Sequence, residues 1–212
     1  PPRFQGATGS ITHMEASELP ILRRLSLRHL SLALKGVREP HWHANAHELG
    51  YCIHGEALIT IAGNHAERES FVVGPGEMFF VPSGAMHSIE NIGNEAAEFV
   101  LAFSHERPED FGMKAAFSVM SNAVLGNAYD LPAAAFGSFH RSVNGSKIFD
   151  LAGPVAIEDE ARHVNPYKYS LESTPAQIDS PAGSAHTTKA SLWPVLRDIA
   201  MFSVRITNQG MR

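Results

Sequence analysis

Between residues 28 and 103 the chain runs through seven short apolar segments: "RHLSLAL", "LGYCIHG", "EALITIAG", "ESFVVG", "EMFFVP", "HSIENIG" and "AAEFVLAF". The turn signals "AGN", "GPG", "PSG" and "IGN" punctuate them. Strands this short and this regularly spaced pair as a compact antiparallel sandwich or barrel. With 212 residues and 44% hydrophobic content, the chain can bury the core that such a fold needs. Its formal charge of −5 offers no basic stripe, so neither nucleic acid nor an anionic membrane is an expected partner. No apolar run approaches a membrane span, and "PPRFQGATGS" lacks the layout of a secretory signal. A cytoplasmic setting is the default expectation, with export left open because a cleaved signal leaves no trace. Cys52 is the single cysteine, which excludes an intrachain disulfide, and its apolar surroundings predict a core residue rather than a nucleophile.

After Pro108 the pattern changes. "PEDFGMKAAFSVMSNAVLG" places Phe111, Ala115, Val119 and Met120 at helical spacing behind a run of acids, predicting one or two helices with the acids at their start. The Gly-, Pro- and Ala-rich stretch up to residue 164 has no period and reads as a linker with local turns. Strand-like sequence returns in "YKYSL", "ASLWPVL" and "IAMFSVRIT".

Sliding the chain by 174 positions reveals an internal repeat. Residues 9–38 then lie over residues 183–212 without a gap, with nine identities that include Gly9/Gly183, Pro20/Pro194, Leu22/Leu196, Gly36/Gly210 and Arg38/Arg212. A fold unit therefore starts twice.

The chemistry concentrates in "GVREPHWHANAHELGYCIHG". Residues two apart on a strand share a face, so His41 and His43 project together while Trp42 turns away. Glu48 follows across a short bend, and "GEMFFVPSGAMHSIEN" uses Gly76, Pro82 and Gly84 to present His87. Two imidazoles and a carboxylate converging inside a β-barrel are costly to bury unless a divalent metal satisfies them, and His87 is the fourth candidate ligand. His47 alternates to the other face, and the remaining histidines read as surface or hydrogen-bonded residues.

The joint pattern G-x4-H-x-H-x4-E-x6-G followed by G-x5-P-x-G-x2-H-x3-N resembles the paired motifs of the cupin superfamily, and is most similar to bicupins of the oxalate decarboxylase-like group. "NPYKYSLESTP" and the sequence after it resemble the start of such a family's second cupin. One departure is that four residues, not the usual five, separate Gly36 from His41. The resemblance implies a mainly β cupin fold, a double-stranded β-helix or jelly-roll-like barrel, with short helices after the barrel. It implies a first cupin with its helices over residues 1–125, a linker over 126–164, and over 165–212 the N-terminal strands of a second cupin that stops before its metal motif.

It further makes His41, His43, Glu48 and His87 the metal ligands. Three imidazoles and one carboxylate leave two positions of an octahedral ion open and, without thiolate, suit Mn(II), with Fe(II), Ni(II) and Zn(II) as alternatives. By the same resemblance Arg38 binds a small carboxylate substrate, its guanidinium fork matching a carboxylate. A lid acid is required for decarboxylation, and "SHERPEDFG" offers Glu106, Glu109 and Asp110 in place of the family's Ser-Glu-Asn. Glu109 is the chosen catalytic residue by its distance from the strand end. The expected activity is that of a manganese oxalate decarboxylase-like enzyme giving formate and carbon dioxide. A cupin oxidase or dioxygenase and a non-catalytic metal-storage or small-ligand-binding bicupin are the alternatives. A homo-oligomer is expected, as is the C-terminal remainder of the same bicupin as a separate chain, cut after Arg212 and starting with something like "EPHWH".

Overall fold

The short apolar segments fall within ten strands: β1 (Phe4–Gly6), β2 (Gly9–Met14), β3 (Ser26–Leu32), β4 (Gly36–Trp42), β5 (Glu48–His54), β6 (Ala57–Ala62), β7 (Arg68–Val73), β8 (Met78–Val81), β9 (Met86–Asn91) and β10 (Ala97–Phe103), of which β3 alternates strictly between core and surface. The computed structural model describes residues 4–63, 67–142, 147–153 and 156–211. His65 and the pairing of Arg212 with Arg38 lie outside the described residues. After β10 come β11 (Phe111–Gly112), helices α1 (Met113–Ser118) and α2 (Asn122–Ala128), and strands β12 (Ile148–Asp150), β13 (Lys168–Tyr169), β14 (Ile178–Ser180), β15 (Gly183–Thr188) and β16 (Met201–Ile206).

A seven-stranded sheet has the order β1-β2-β3-β10-β5-β8-β13, and a six-stranded sheet has the order β11-β4-β9-β6-β7 with β12 added on β4. Their inner faces share one core, in which Leu30, Leu32, Phe79, Phe99 and Phe103 of the first meet Ile59, Phe71, Val73 and Ile89 of the second. This is the mainly β barrel, followed by short helices, that the resemblance implies. Cys52 lies in that core, and burial pushes its thiol up to about 12, so it stays protonated and unreactive. β8 reads as an unbroken "MFFV" because both of its faces are covered: Phe79 and Val81 face the shared core, while Met78 and Phe80 meet Leu171, Trp193 and Leu196 outside it. β5 crosses β8 closely, and the ring of Phe79 stands where a Cβ on Gly50 would go. Gly50→Ala should therefore destabilise the fold by about 1–3 kcal/mol, read as a lower urea midpoint at unchanged m. An unshifted midpoint would show that Phe79 can yield.

The region after the barrel departs from expectation in three places. Two short helices form, but Phe111 is not on them: it pairs with Trp42 across β11 and β4 and stacks on it at 5.6 Å. Val119 and Met120 are exposed, and α1 has no acid in its first turn, so neither the apolar stripe nor the helix-start role of the acids holds. A tertiary strand pairing has overridden the local pattern. Second, the 126–164 stretch contributes β12, which pairs Ile148 with Arg38 and Phe149 with Val37. Third, "ASLWPVL" is a turn rather than a strand; its apolar residues act as anchors, with Trp193 stacked on Tyr169 at 5.3 Å.

The repeat is structural as well as sequential. β2 and β3 pair Gly9 with Leu32 and Ser10 with Ser31; β15 and β16 pair Gly183 with Ile206 and Ser184 with Arg205, each position shifted by 174. Left-handed backbone recurs too, at Arg24 (φ 55°) and Asp198 (φ 58°) and at Lys35 (φ 61°) and Gln209 (φ 67°). "ASLWPVL" is thus the counterpart of the turn "ASELPIL". At the positions of buried Arg28, Leu30 and Leu32 the second copy carries Phe202, Val204 and Ile206, which are exposed.

Candidate metal centre

The site begins with a fault in a strand. β4 and β9 pair Arg38 with Ile89 and His41 with His87, so two residues of β4, Glu39 and Pro40, oppose one residue of β9. Pro40 has no N–H to give to a ladder and suits such a bulge. An odd separation would put Arg38 and His41 on opposite faces; the bulge returns both to the face that Ile89 and His87 share. His43 follows the end of β4, Glu48 opens β5, and His87 lies on β9. Gly84 (φ 80°) makes the β8–β9 turn, donates its N–H to the His43 carbonyl at 2.9 Å, and so ties the His87 strand to the His43 loop.

His41, His43, Glu48 and His87 are all at most 2% exposed, and one ligand atom from each lies within 4.8 Å of the others. Each imidazole donates its Nδ1 proton to a backbone carbonyl: His41 to Glu39 at 2.7 Å, His43 to Glu109 at 2.5 Å and His87 to Ala85 at 3.2 Å. A carbonyl can only accept, so the proton is fixed on Nδ1 and the lone pair on Nε2 is turned to the interior, the arrangement that metal-bound histidines use. Glu48 Oε2 lies 3.0 Å from His43 Nε2 and 3.1 Å from His87 Nε2. His43 Nε2 is out of line for a hydrogen bond there, and it and Glu48 Oε1 are buried with no partner. His87 Nε2 is within hydrogen-bond reach of Glu48 Oε2, but with the Nδ1 protons committed to carbonyls the Nε2 lone pairs that face this carboxylate need a cation. A divalent ion at about 2.0–2.6 Å from each donor fits the spacing.

Electrostatics agree with that donor set. Burial, then the neighbouring Arg38 charge, holds His41 well below the ordinary histidine range, and burial lowers His43 against the pull of Glu48, so both are neutral ligands at pH 7. Burial alone would raise the Glu48 carboxyl; positive charge and N–H donation from the side of His87 and His43 bring it well below the usual carboxylate range, a place that a cation takes over when both imidazoles are neutral. His47 stays apart, accepting from the Ser83 N–H at 2.9 Å and lying against Phe80.

Arg38 is 3% exposed, donating from Nη2 to Asp110 Oδ1 at 2.7 Å and from Nη1 to the Lys147 carbonyl at 3.4 Å. Glu39 is a more distant partner at 3.8 Å. Of the three loop acids, Glu106 is spent on the Arg24 N–H at 3.0 Å. Glu109 gives its carbonyl to His43 while its side chain is exposed. Asp110 turns inward, away from any helix start, to ion pairs with Arg38, Arg28 (3.0 Å) and Lys147 (2.7 Å). Burial would raise its carboxyl; Arg38, His41, Arg28 and Lys147 instead drive it far below the normal range. Arg28 and Lys147 were not singled out in the sequence. The one available signal was an arginine at an inward position of the alternating segment "SLRHLSL".

A family model described as Cupin matches residues 1–135. Oxalate decarboxylase OxdC of Bacillus subtilis (strain 168) is 27% identical over 216 residues, covering 96% of this chain and 54% of its own length. Oxalate oxidase GF-2.8 of Triticum aestivum is 33% identical over 104 residues, 47% of this chain and 46% of that protein. The solved structure of the Bacillus subtilis decarboxylase at pH 4.6 superposes with a TM-score of 0.85 at 23% identity, over 97% of this chain and 55% of that one, a likeness of fold. A further structure of that decarboxylase, at a TM-score of 0.80, 23% identity and coverage of 92% of this chain and 52% of that one, concerns its Mn(II) centres. The chain spans about half the length of these relatives.

Proposed function

The chain belongs to the cupin family, and on that premise we propose that it is a metal-dependent enzyme of small carboxylic acids, converting oxalate to formate and carbon dioxide. One observation carries the reading: three buried imidazoles have their Nδ1 protons committed to carbonyls, so that three Nε2 atoms and Glu48 are left for an ion. His41, His43, Glu48 and His87 would hold it. Mn(II) is the proposed ion, supported by the donor set and by the Mn(II) centres of the similar decarboxylase; Fe(II), Ni(II) and Zn(II) share the chemistry of the site. When bound, the ion supplies Lewis-acid and redox chemistry at its open positions.

The chain's own residues supply the rest. Arg38, buried and oriented by Asp110, offers a guanidinium to a substrate carboxylate on the face that carries His41. Burial among apolar strands excludes water and strengthens that contact. Formation of formate consumes one proton at the carbon that loses carbon dioxide. Glu109 is assigned to deliver it: its carbonyl is already on His43, and rotation of the exposed side chain brings the carboxyl toward the site. A second reading rests on that same exposure. With Glu109 turned out, oxalate, dioxygen and two protons would instead give two molecules of carbon dioxide and hydrogen peroxide; the wheat relative is named an oxalate oxidase.

Protein of measured metal content, incubated aerobically with oxalate, should release formate. Peroxide in its place would select the oxidase reading. Neither product would overturn both and leave a binding role.

A further inference from the structure

We infer that Arg28 is a second anion-recognising residue of this site, which with Arg38 makes it select a doubly charged carboxylate over a singly charged one. The inference rests on reading the site as a carboxylate site beside a metal. β3 alternates Ser26, Arg28, Leu30 and Leu32 toward the core, and Arg28 is 4% exposed there. An arginine at such a position loses its hydration, and the fold compensates only in part. Nη1 reaches Asp110 Oδ2 at 3.0 Å and Nη2 the Pro108 carbonyl at 3.5 Å, while Nε is buried with no hydrogen-bond partner. One donor of a planar fork is therefore still unused.

Arg28 is also one ring away from the candidate ligands. Its guanidinium lies over Phe103 at 4.5 Å, and the same ring meets the edge of His43 at 4.8 Å. Its charge reaches His43 and Glu48. Asp110 sets the spacing of the two arginines, taking Arg38 on one carboxylate oxygen and Arg28 on the other, with Lys147 beside it. One carboxylate does not need three cations for its own neutralisation. In formal charges, Arg28, Arg38 and Lys147 face the carboxylates of Glu39, Glu48 and Asp110, and Glu15 also acts on Arg28. A divalent ion would make this cluster net positive, and its attraction for a dicarboxylate then exceeds that for a monocarboxylate. If Arg28 served only to hold Asp110, its removal would affect every ligand alike.

The test is calorimetric titration of the full chain, loaded with Mn(II) and at fixed ionic strength, with oxalate and malonate as dianions and formate and acetate as monoanions. Wild-type protein should bind oxalate at least about tenfold more tightly than acetate. Arg28→Gln should weaken both dianions by about tenfold or more, and the monoanions by less than about twofold, with the bound Mn(II) per chain unchanged. Arg28→Lys, which keeps the charge and loses the fork, should fall between the two and covers the case in which Arg28→Gln does not fold. Equal weakening of all four anions, no weakening, or a wild type without dianion preference would each overturn the inference. Turnover is not read in this experiment. Dianion preference without formate or peroxide would sink the proposed activity alone, and turnover without that preference would sink the role of Arg28 alone.

Discussion

Asp110→Ala should lower the stability of the fold by about 3–5 kcal/mol, because it leaves two buried guanidiniums without their shared carboxylate. Asp110 is 9% exposed and Arg28 and Arg38 are at most 4% exposed, so solvent cannot take its place; Lys147, at 37%, adds little. Urea denaturation at pH 7 would give the number, and a loss under about 1 kcal/mol would mean that water or Glu39 compensates the arginines. The pH dependence follows from the sign of the shift. A carboxyl held far below its ordinary value contributes stability that is fully present above the unfolded value of about 4 and is lost only as pH falls toward the folded one. The gap between wild type and variant should hence stay level from about pH 5 to 8 and narrow in acid.

His41→Ala combined with His87→Ala should reduce bound metal to less than about a tenth of an ion per chain after dialysis, against about one in the wild type. Two of four donors are then gone, and even groups behind the ligands change affinity by about 10–100-fold. Elemental analysis of both proteins, purified in parallel, decides it. Undiminished metal in the double variant would remove these residues as ligands.

Legibility in the sequence followed the distance over which each interaction is made. His41, His43 and Glu48 could be read because they flank one short bend, and strand alternation decides which face the two histidines take; His87, 39 positions from Glu48, was reached through the second of the paired motifs that resemble the cupin family. The cluster around Asp110 could not: its partners lie 82, 72 and 37 positions away, and only the packing of β3, β4 and the segment before β12 brings them together. The bulge at Glu39 and Pro40 is intermediate. A proline in a strand was visible, but its effect, turning Arg38 to the side of His41, needed the register against β9. Phe111, Val119 and Met120 misled because helical spacing is a weak prior once β4 offers Phe111 an edge to pair with. "ASLWPVL" misled because a run of apolar residues looks alike in a strand and in a turn that anchors on a core.

The recurrence of the β2–β3 hairpin at β15–β16 gives the molecule an internal control. Two copies of one backbone trace, with the same pairings and the same left-handed residues, separate what the hairpin itself demands from what its neighbourhood demands. Gly9 and Gly183 are held in common, at φ 149° and 148°, with a facing strand carbonyl where a Cβ would sit; that requirement belongs to the hairpin. At the position of Arg28 the other copy carries Phe202, so the backbone accepts an aromatic residue there and does not ask for a charge. The cost of burying a guanidinium at that point is borne in one copy only, the one whose hairpin stands against three imidazoles and a carboxylate.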